Sequence, residues 1–304
     1  MGGKSVNIER VALLGLGEVG AVLAHDLLAA TSVEIRVWDR LLDDSASPAA
    51  RHWGELAANA RVSRAGSAAE LAAGCQVVLS AVTADGALAA ANSVAPGLPA
   101  GCWFVDLNSV SPGTKVALSS AIEHAGGQFV EAAVMSPILP LRMASPVILA
   151  GPRAAAFQPL GQALGFSDMS AVSAEAGVAA ATKMCRSVMI KGMEALVSES
   201  LLAARHYGVD DAVLGSLNNL FPRPDWPAYA RYLMSRTLQH GARRAAEMRE
   251  VARTVGEAGV EPWMSEACAL RQDWAPQFSD TLGEASLDDL LDAMLAQMAR
   301  QSGD

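Results

Sequence analysis

Gly15-Leu16-Gly17-Glu18-Val19-Gly20 is the run of residues in this chain whose types and spacing most plainly serve chemistry. It follows an apolar run, Arg10 to Leu14, that reads as a buried strand, and it opens an apolar helical stretch, Val22 to Ala30. Val33 to Trp38 reads as the next strand, and Asp39 stands at its end, 19 residues beyond Gly20. Strand, glycine turn, helix, strand and terminal acid is the order that holds a dinucleotide. Gly15 permits the tight turn, Gly17 lets the backbone approach a pyrophosphate, and Gly20 lets helix and strand pack closely, with the phosphates at the positive helix end. Leu16, Glu18 and Val19 complete the expected cofactor-binding turn, and Val82 and Thr83 join it from the end of a later strand. Asp39 suits the hydroxyls of an adenosine ribose, which favours NAD, whereas Arg40 suits the extra phosphate of NADP. The reading leans towards NAD.

A second group centres on Lys183, which lies among Val178, Ala179, Ala180, Ala181, Met184 and Cys185 on a helical pattern from Ala176 to Arg205. Such neighbours strip water from an ammonium and lower its pKa towards the range useful for proton transfer. The alternative is a stem that snorkels to solvent. Arg186 and Ser187 share the helix face of Lys183 because they are three and four residues on. Arg186 is expected either to clamp a substrate carboxylate by a two-point contact or to make an interhelix salt bridge. Lys191 and Glu194, further along the same helix, are expected to bury their stems in a subunit interface or to pair with each other.

These groups need elements to hold them. After the first beta-alpha-beta unit the pattern continues with helix (Ala68 to Ala73), strand (Val77 to Val82), helix (Gly86 to Val94) and strand (Trp103 to Leu107). A helix from Ser111 to Ala125 and strands at Phe129 to Ala132 and Val147 to Ala150 follow. This alternation predicts an α/β Rossmann-type doubly wound parallel sheet over residues 1–173. Strand signals then stop, and residues 174–304 read as an all-α domain punctuated by Gly208, the Phe-Pro-Arg-Pro-Asp-Trp-Pro stretch at 221–227, and Gly259 with Pro262.

Composition narrows the partners. With a net charge of −9 and 18% charged residues over 304, no positive field draws nucleic acid or anionic lipid. The mean hydropathy of +0.24 owes much to alanine. The longest uncharged stretch, Gly86 to Val105, carries Asn92, Ser93, Pro96, Gly97, Pro99 and Gly101, and reads as a helix end and turn rather than a membrane span. The first seven residues lack the apolar core of a signal peptide, so a cytoplasmic location is expected. Cysteines 75, 102, 185 and 268 are scattered, without metal-ligand spacing, and read as reduced core residues.

Four segments in order resemble the beta-hydroxyacid dehydrogenase superfamily, which includes 3-hydroxyisobutyrate and 6-phosphogluconate dehydrogenases. The glycine turn is the first. Asp106-Leu107-Asn108-Ser109-Val110-Ser111-Pro112 is similar to that family's Asp-x-Ser-Thr-x-Ser-Pro substrate loop, with Asn108 and Ser109 in place of Ser and Thr. Glu131-Ala132-Ala133-Val134-Met135-Ser136-Pro137 is similar to Asp-Ala-Pro-Val-Ser-Gly-Gly, whose amides help hold a substrate carboxylate. Pro137 brings no amide donor. Gly177 with Lys183 six positions on is similar to Gly-x-x-x-x-x-Lys-x-x-(His/Asn)-Asn, with Arg186 and Ser187 where the family has His or Asn and Asn.

The resemblance implies a divergent NAD(P)-dependent dehydrogenase acting on a small hydroxy acid with a carboxylate, a 3-hydroxy acid by preference. It implies that Lys183 exchanges the hydroxyl proton and that Asn108, Ser109 and Ser136 contact substrate; Ser187 and Arg186, which depart from the family pattern, are expected to assist Lys183 and to contact substrate respectively. It implies that the helical domain mediates a homodimer. Rival readings are an imine reductase on the same plan and a dinucleotide-sensing protein without turnover. The segment His240-Gly-Ala-Arg243-Arg244-Ala-Ala-Glu247-Met248 falls where the family has a Lys-Asp helix, and reads mostly as a solvated helix with internal ion pairs.

Overall fold

Apolar runs bounded by glycine and capping residues build the first part of the chain. In order they form β1 (Arg10–Leu14), α1 (Glu18–Ala30), β2 (Glu34–Trp38), α2 (Pro48–Leu56), β3 (Val62–Arg64), α3 (Ala68–Leu71), β4 (Val77–Ser80) and α4 (Ala87–Val94). Next come β5 (Trp103–Asp106), α5 (Pro112–His124), β6 (Gln128–Val134), α6 (Ile138–Leu141), β7 (Val147–Ala150), α7 (Ala154–Ala163) and β8 (Met169–Ala171). The computed structural model describes residues 8–217 and 225–301. The expected signal-free N-terminal segment and positions 221–224 of the Pro-rich stretch lie outside the described residues.

The eight strands form one sheet in the order β3-β2-β1-β4-β5-β6-β7-β8. Its direction of winding reverses between β1 and β4, which places their carboxyl ends at the crevice where such sheets bind ligands. Every residue of β4 and β5 is buried, as expected of strands covered on both faces. Two apolar clusters supply that cover, one including Leu13, Leu27, Val77 and Phe157, the other Leu14, Val78, Phe104 and Phe129.

The sheet is not parallel throughout. β7 pairs antiparallel to β6 (Glu131↔Ala150 to Val134↔Val147), and β8 then runs parallel to β7. The connection over residues 135–146 holds only the short α6 and a 3-10 turn, which makes a return rather than a crossover, and apolar periodicity carries no strand direction. The alternation read from the sequence leaves out four further elements, α2, β3, α7 and β8; of these β3 is mostly exposed, and β8 spans three residues.

The chain divides into two units, Met1–Lys183 and Met184–Asp304. Helix α8 (Val178–Tyr207) starts in the first and continues in the second, which also contains α9 (Asp210–Leu217), α10 (Trp226–Glu257), α11 (Trp263–Trp274) and α12 (Leu287–Gln301). Asp225 caps α10 by accepting from the Ala228 amide at 2.9 Å. A core of Leu201, Trp226, Met234, Phe278, Leu290 and Met294 holds this unit. At Gly241 a Cβ would run into the Gln272 carbonyl, so α10 needs glycine there to approach α11. Among the described residues no helix is long and apolar enough to cross a membrane.

Candidate active site

The glycine turn has the shape its spacing predicts. Gly15 has a φ of +96°, which favours glycine, and its amide donates to the Trp38 carbonyl at 2.9 Å. A Cβ on Gly20 would run into the Gly15 carbonyl oxygen, whereas one on Gly17 would meet nothing within 4 Å. Among the described residues no side chain caps the amides that open α1. The turn therefore leaves open space beside unfilled N–H donors and the positive end of a helix, which fits a dinucleotide pyrophosphate.

Asp39 is tied to this turn. Its Oδ2 accepts from the Leu16 amide and its Oδ1 from the Leu41 amide, both at 2.8 Å, and each oxygen keeps a further lone pair for a ribose hydroxyl. Arg40 and Glu18 are exposed, Val19 is half-buried, and Leu16 is fully buried, so Leu16 offers only its backbone. His52 Nδ1 lies 2.9 Å from the Leu16 carbonyl oxygen. The glycine motif by itself does not reveal this contact, because His52 lies on α2, 36 residues beyond Leu16.

β4 stops at Ser80, so Val82 and Thr83 lie in the loop after it rather than in the strand. The Val82 amide donates to Asn108 Oδ1 at 2.7 Å. Thr83 is exposed, and its hydrogen bond to Asp85 holds that carboxyl below the usual range, with a smaller contribution from Arg40.

Asn108 departs from its expected place against substrate. It is buried, and its amide nitrogen donates to Ser80 Oγ at 2.9 Å and to Asp106 Oδ1 at 2.5 Å. Both donors and one lone pair of its oxygen are thus used within the protein, tying the end of β5 to the end of β4 and the Val82 loop. Ser109, the next residue, is half-buried and accepts a hydrogen bond from Lys183 Nζ at 2.7 Å. Lys183 is half-buried, and the two side chains meet although 74 residues separate them.

Behind this pair lie three buried charges. Lys115 Nζ meets Asp106 Oδ2 at 2.5 Å and the Asp106 carbonyl at 2.9 Å. Glu131 sits opposite Asp106 in the β5–β6 register and is fully buried. Its carboxylate accepts from the Gly177 amide at 2.6 Å and the Ala180 amide at 2.5 Å, at the start of α8. Burial pushes the Glu131 carboxyl up, while Lys115 and the two amides pull it down. No motif in the sequence marks Lys115, whose burial comes from its packing at the end of β5.

After Glu131 the chain runs on to Ser136, whose Oγ is buried and has no hydrogen-bond partner among the described residues. Pro137 opens α6, and the chain then passes through Arg142 at a φ of +53°, held by an ion pair to Asp26 at 2.6 Å.

In the second unit Arg186 is exposed, and Ser187 is buried and accepts from Lys191 Nζ at 3.2 Å. Lys191 and Glu194 do not pair with each other. Lys191 meets Glu247 at 2.8 Å and Glu194 meets Arg244, both on α10. Arg243 and Glu247 do form an ion pair within α10, at 2.5 Å, but Arg244 is buried rather than solvated. Burial and the cation of Arg236 push His240 down to about 4. Cys75, Cys102 and Cys268 are core residues as expected; Cys185 is exposed, since it lies on a different side of the helix from buried Met184. Among the described residues no group of His, Cys, Asp or Glu has the arrangement of a metal site.

A family model described as the NAD binding domain of 6-phosphogluconate dehydrogenase matches residues 10–180, and one described as a domain of unknown function (DUF1932) matches residues 204–275. A conserved hypothetical protein from Sinorhizobium meliloti 1021 is 34% identical over 95% of this chain and 97% of its own, with a TM-score of 0.75. The conserved protein MTH1747, described as structurally similar to 3-hydroxyacid dehydrogenases, is 29% identical over 91% of this chain and 100% of its own, with a TM-score of 0.68. A Mycobacterium tuberculosis 3-hydroxyisobutyrate dehydrogenase solved with L-serine shares 17% identity over 95% of this chain and 99% of its own, at a TM-score of 0.68, a likeness of fold. No curated protein matches significantly.

Proposed function

This chain belongs to the family that carries the NAD binding domain of 6-phosphogluconate dehydrogenase, and on that premise we propose that it catalyses reversible oxidation of the CH–OH group of a small 3-hydroxy acid. The observation that carries this reading is the hydrogen bond from Lys183 Nζ to Ser109 Oγ, 2.7 Å long, between the substrate-loop motif and the helix motif.

A nicotinamide dinucleotide held at the glycine turn supplies the hydride acceptor or donor. The amides at the start of α1 and the backbone of Gly15 to Gly20 hold its pyrophosphate, and Asp39 takes the adenosine ribose, which favours NAD over NADP. Neutral Lys183 accepts the hydroxyl proton at Nζ during oxidation and returns it during reduction. Ser109 Oγ keeps Nζ in place and shares the substrate hydroxyl. Ser136, whose hydroxyl has no hydrogen-bond partner among the described residues, orients the carboxylate, and Ser187 assists Lys183 from the next turn of the helix. Asn108 acts indirectly, by fixing the Val82 amide.

We place the helical unit in a homodimer. Its exposed Met189, Leu196, Trp263 and Leu270 support an apolar contact with a second copy, which light scattering measures.

The deciding experiment is turnover of wild type and Lys183→Ala on a panel of 3-hydroxy acids and the matching oxo acids, with NAD and NADP supplied separately. Turnover lost in a folded variant that still binds dinucleotide supports the mechanism. Unchanged turnover refutes it. Reduction of a cyclic imine with no hydroxy-acid activity makes the protein an imine reductase, and binding without turnover of either class makes it a dinucleotide sensor.

A further inference from the structure

We propose that Glu131 is a positioning residue, whose buried carboxylate fixes the first turn of α8 and thereby sets where Lys183 stands against Ser109. The proposal rests on the reading of Lys183 as the acid/base, but its test does not require a substrate.

The start of a helix leaves amides without intrahelical acceptors. In α8 the first helical bond runs from the Ala181 amide to the Gly177 carbonyl at 2.8 Å, so the amides from Gly177 to Ala180 need acceptors from elsewhere. Glu131 accepts two of them, Gly177 and Ala180, one at each carboxylate oxygen. Caps usually come from the residue just before the helix. This one comes from β6, 46 residues before Gly177, so the sheet itself holds the helix start.

The charges make the arrangement specific. Glu131 faces Lys115 of α5 and Asp106 of β5, and Lys115 is already committed to Asp106. An ion pair plus one further carboxylate leaves a negative charge, and the positive end of α8 is what faces it. Burial and, less strongly, Asp106 raise the Glu131 carboxyl, whereas Lys115 and the Gly177 and Ala180 amides lower it, in keeping with a carboxylate that depends on this helix end.

One close approach sets the start of the same helix against the Ser109 loop. Gly177 has a φ of +98°, and a Cβ there would stand 3.2 Å from Pro112, three residues after Ser109. Lys183 follows Gly177 by six residues, about 9 Å of helix rise. Loss of the first turn would therefore be felt at Nζ.

The test compares full-length wild type, Glu131→Gln and Glu131→Asp. Glutamine has one acceptor oxygen, and its NH₂ opposes the second amide; aspartate keeps the charge with a shorter reach. Three quantities are read: hydrogen exchange at residues 177–183, the pH profile of Lys183 acetylation by mass spectrometry, and dinucleotide affinity. In Glu131→Gln we expect exchange at Gly177 and Ala180 to rise at least about tenfold and the Lys183 acetylation profile to move, while dinucleotide affinity changes less than about twofold. Glu131→Asp should fall between the two. A folded Glu131→Gln with the wild-type acetylation profile overturns the proposal. If Glu131→Gln fails to fold, the same readings on Glu131→Asp decide: a displaced profile supports the proposal and an unchanged one overturns it. Absence of hydroxy-acid turnover in wild type would refute the proposed reaction and leave these three readings intact.

Discussion

Lys183 and Ser109, on different motifs, meet with Nζ 2.7 Å from Oγ. If this pair handles the hydroxyl proton, its members should differ in weight. Lys183→Ala should lower kcat by about 10²–10⁴-fold, the usual worth of general acid–base catalysis. Ser109→Ala removes one hydrogen bond, worth about 1 kcal/mol, and should cost about fivefold. Steady-state kinetics on the best substrate of the panel gives both numbers. A larger loss for Ser109→Ala than for Lys183→Ala would reverse the assignment of roles.

The glycine turn separates folding from binding. Gly20→Ala drives a Cβ into the Gly15 carbonyl, which is backbone and has nowhere to go, so both thermal stability and dinucleotide affinity should fall. Gly17→Ala meets no protein atom within 4 Å and should cost at most about 1 kcal/mol as a poorer helix cap, yet weaken dinucleotide at least about tenfold. Thermal denaturation with titration calorimetry reads the pair. Wild-type affinity in Gly17→Ala would mean that the phosphates lie elsewhere.

The Asp106–Lys115 pair is buried on both sides, with exposures of 0% and 1%. Lys115→Met leaves the Asp106 carboxylate without its cation and should cost about 3–5 kcal/mol in chemical denaturation. Adding Asp106→Asn removes the stranded charge and should recover much of that loss. A double variant no more stable than Lys115→Met would show that packing, rather than charge, dominates here.

Burial raises the thiol of Cys75 to about 11, Cys102 to about 12 and Cys268 to about 11, while Cys185 is exposed. A maleimide at neutral pH should therefore modify Cys185 first, which peptide mass spectrometry detects. The folded thiols hold their protons more tightly than unfolded ones, whose value is 9.0. Their contribution to stability is thus complete below about pH 9 and is lost as the pH rises through about 11 to 12. Denaturation midpoints between pH 8 and 11 should fall more steeply in wild type than in a Cys75→Ala, Cys102→Ala variant. Parallel slopes would assign the alkaline loss to other groups.

The sequence alone determined what local pattern can encode. The turn at Gly15 to Gly20, the buried strands beginning at Arg10, Val77 and Trp103, and a helix carrying Lys183 are properties of neighbouring residues, because apolar period and glycine spacing act over one element. Asp39 at its strand end was legible for the same reason. Strand direction at β7 was not, since apolar period carries no direction; nor were the short strands β3 and β8, which bury few side chains, nor the contact of His52 with the turn, which depends on how α2 packs. Tertiary structure alone decided the partners. Asn108 reads as a substrate contact until Ser80, Asp106 and Val82 take up its amide, and Lys191 and Glu194 read as a pair until α10 offers Glu247 and Arg244. Glu131 looks like one more motif position until the start of α8 is laid against it. A buried polar group must find a partner, and which partner it finds depends on elements tens of residues away in the chain, a relation that neither type nor spacing records.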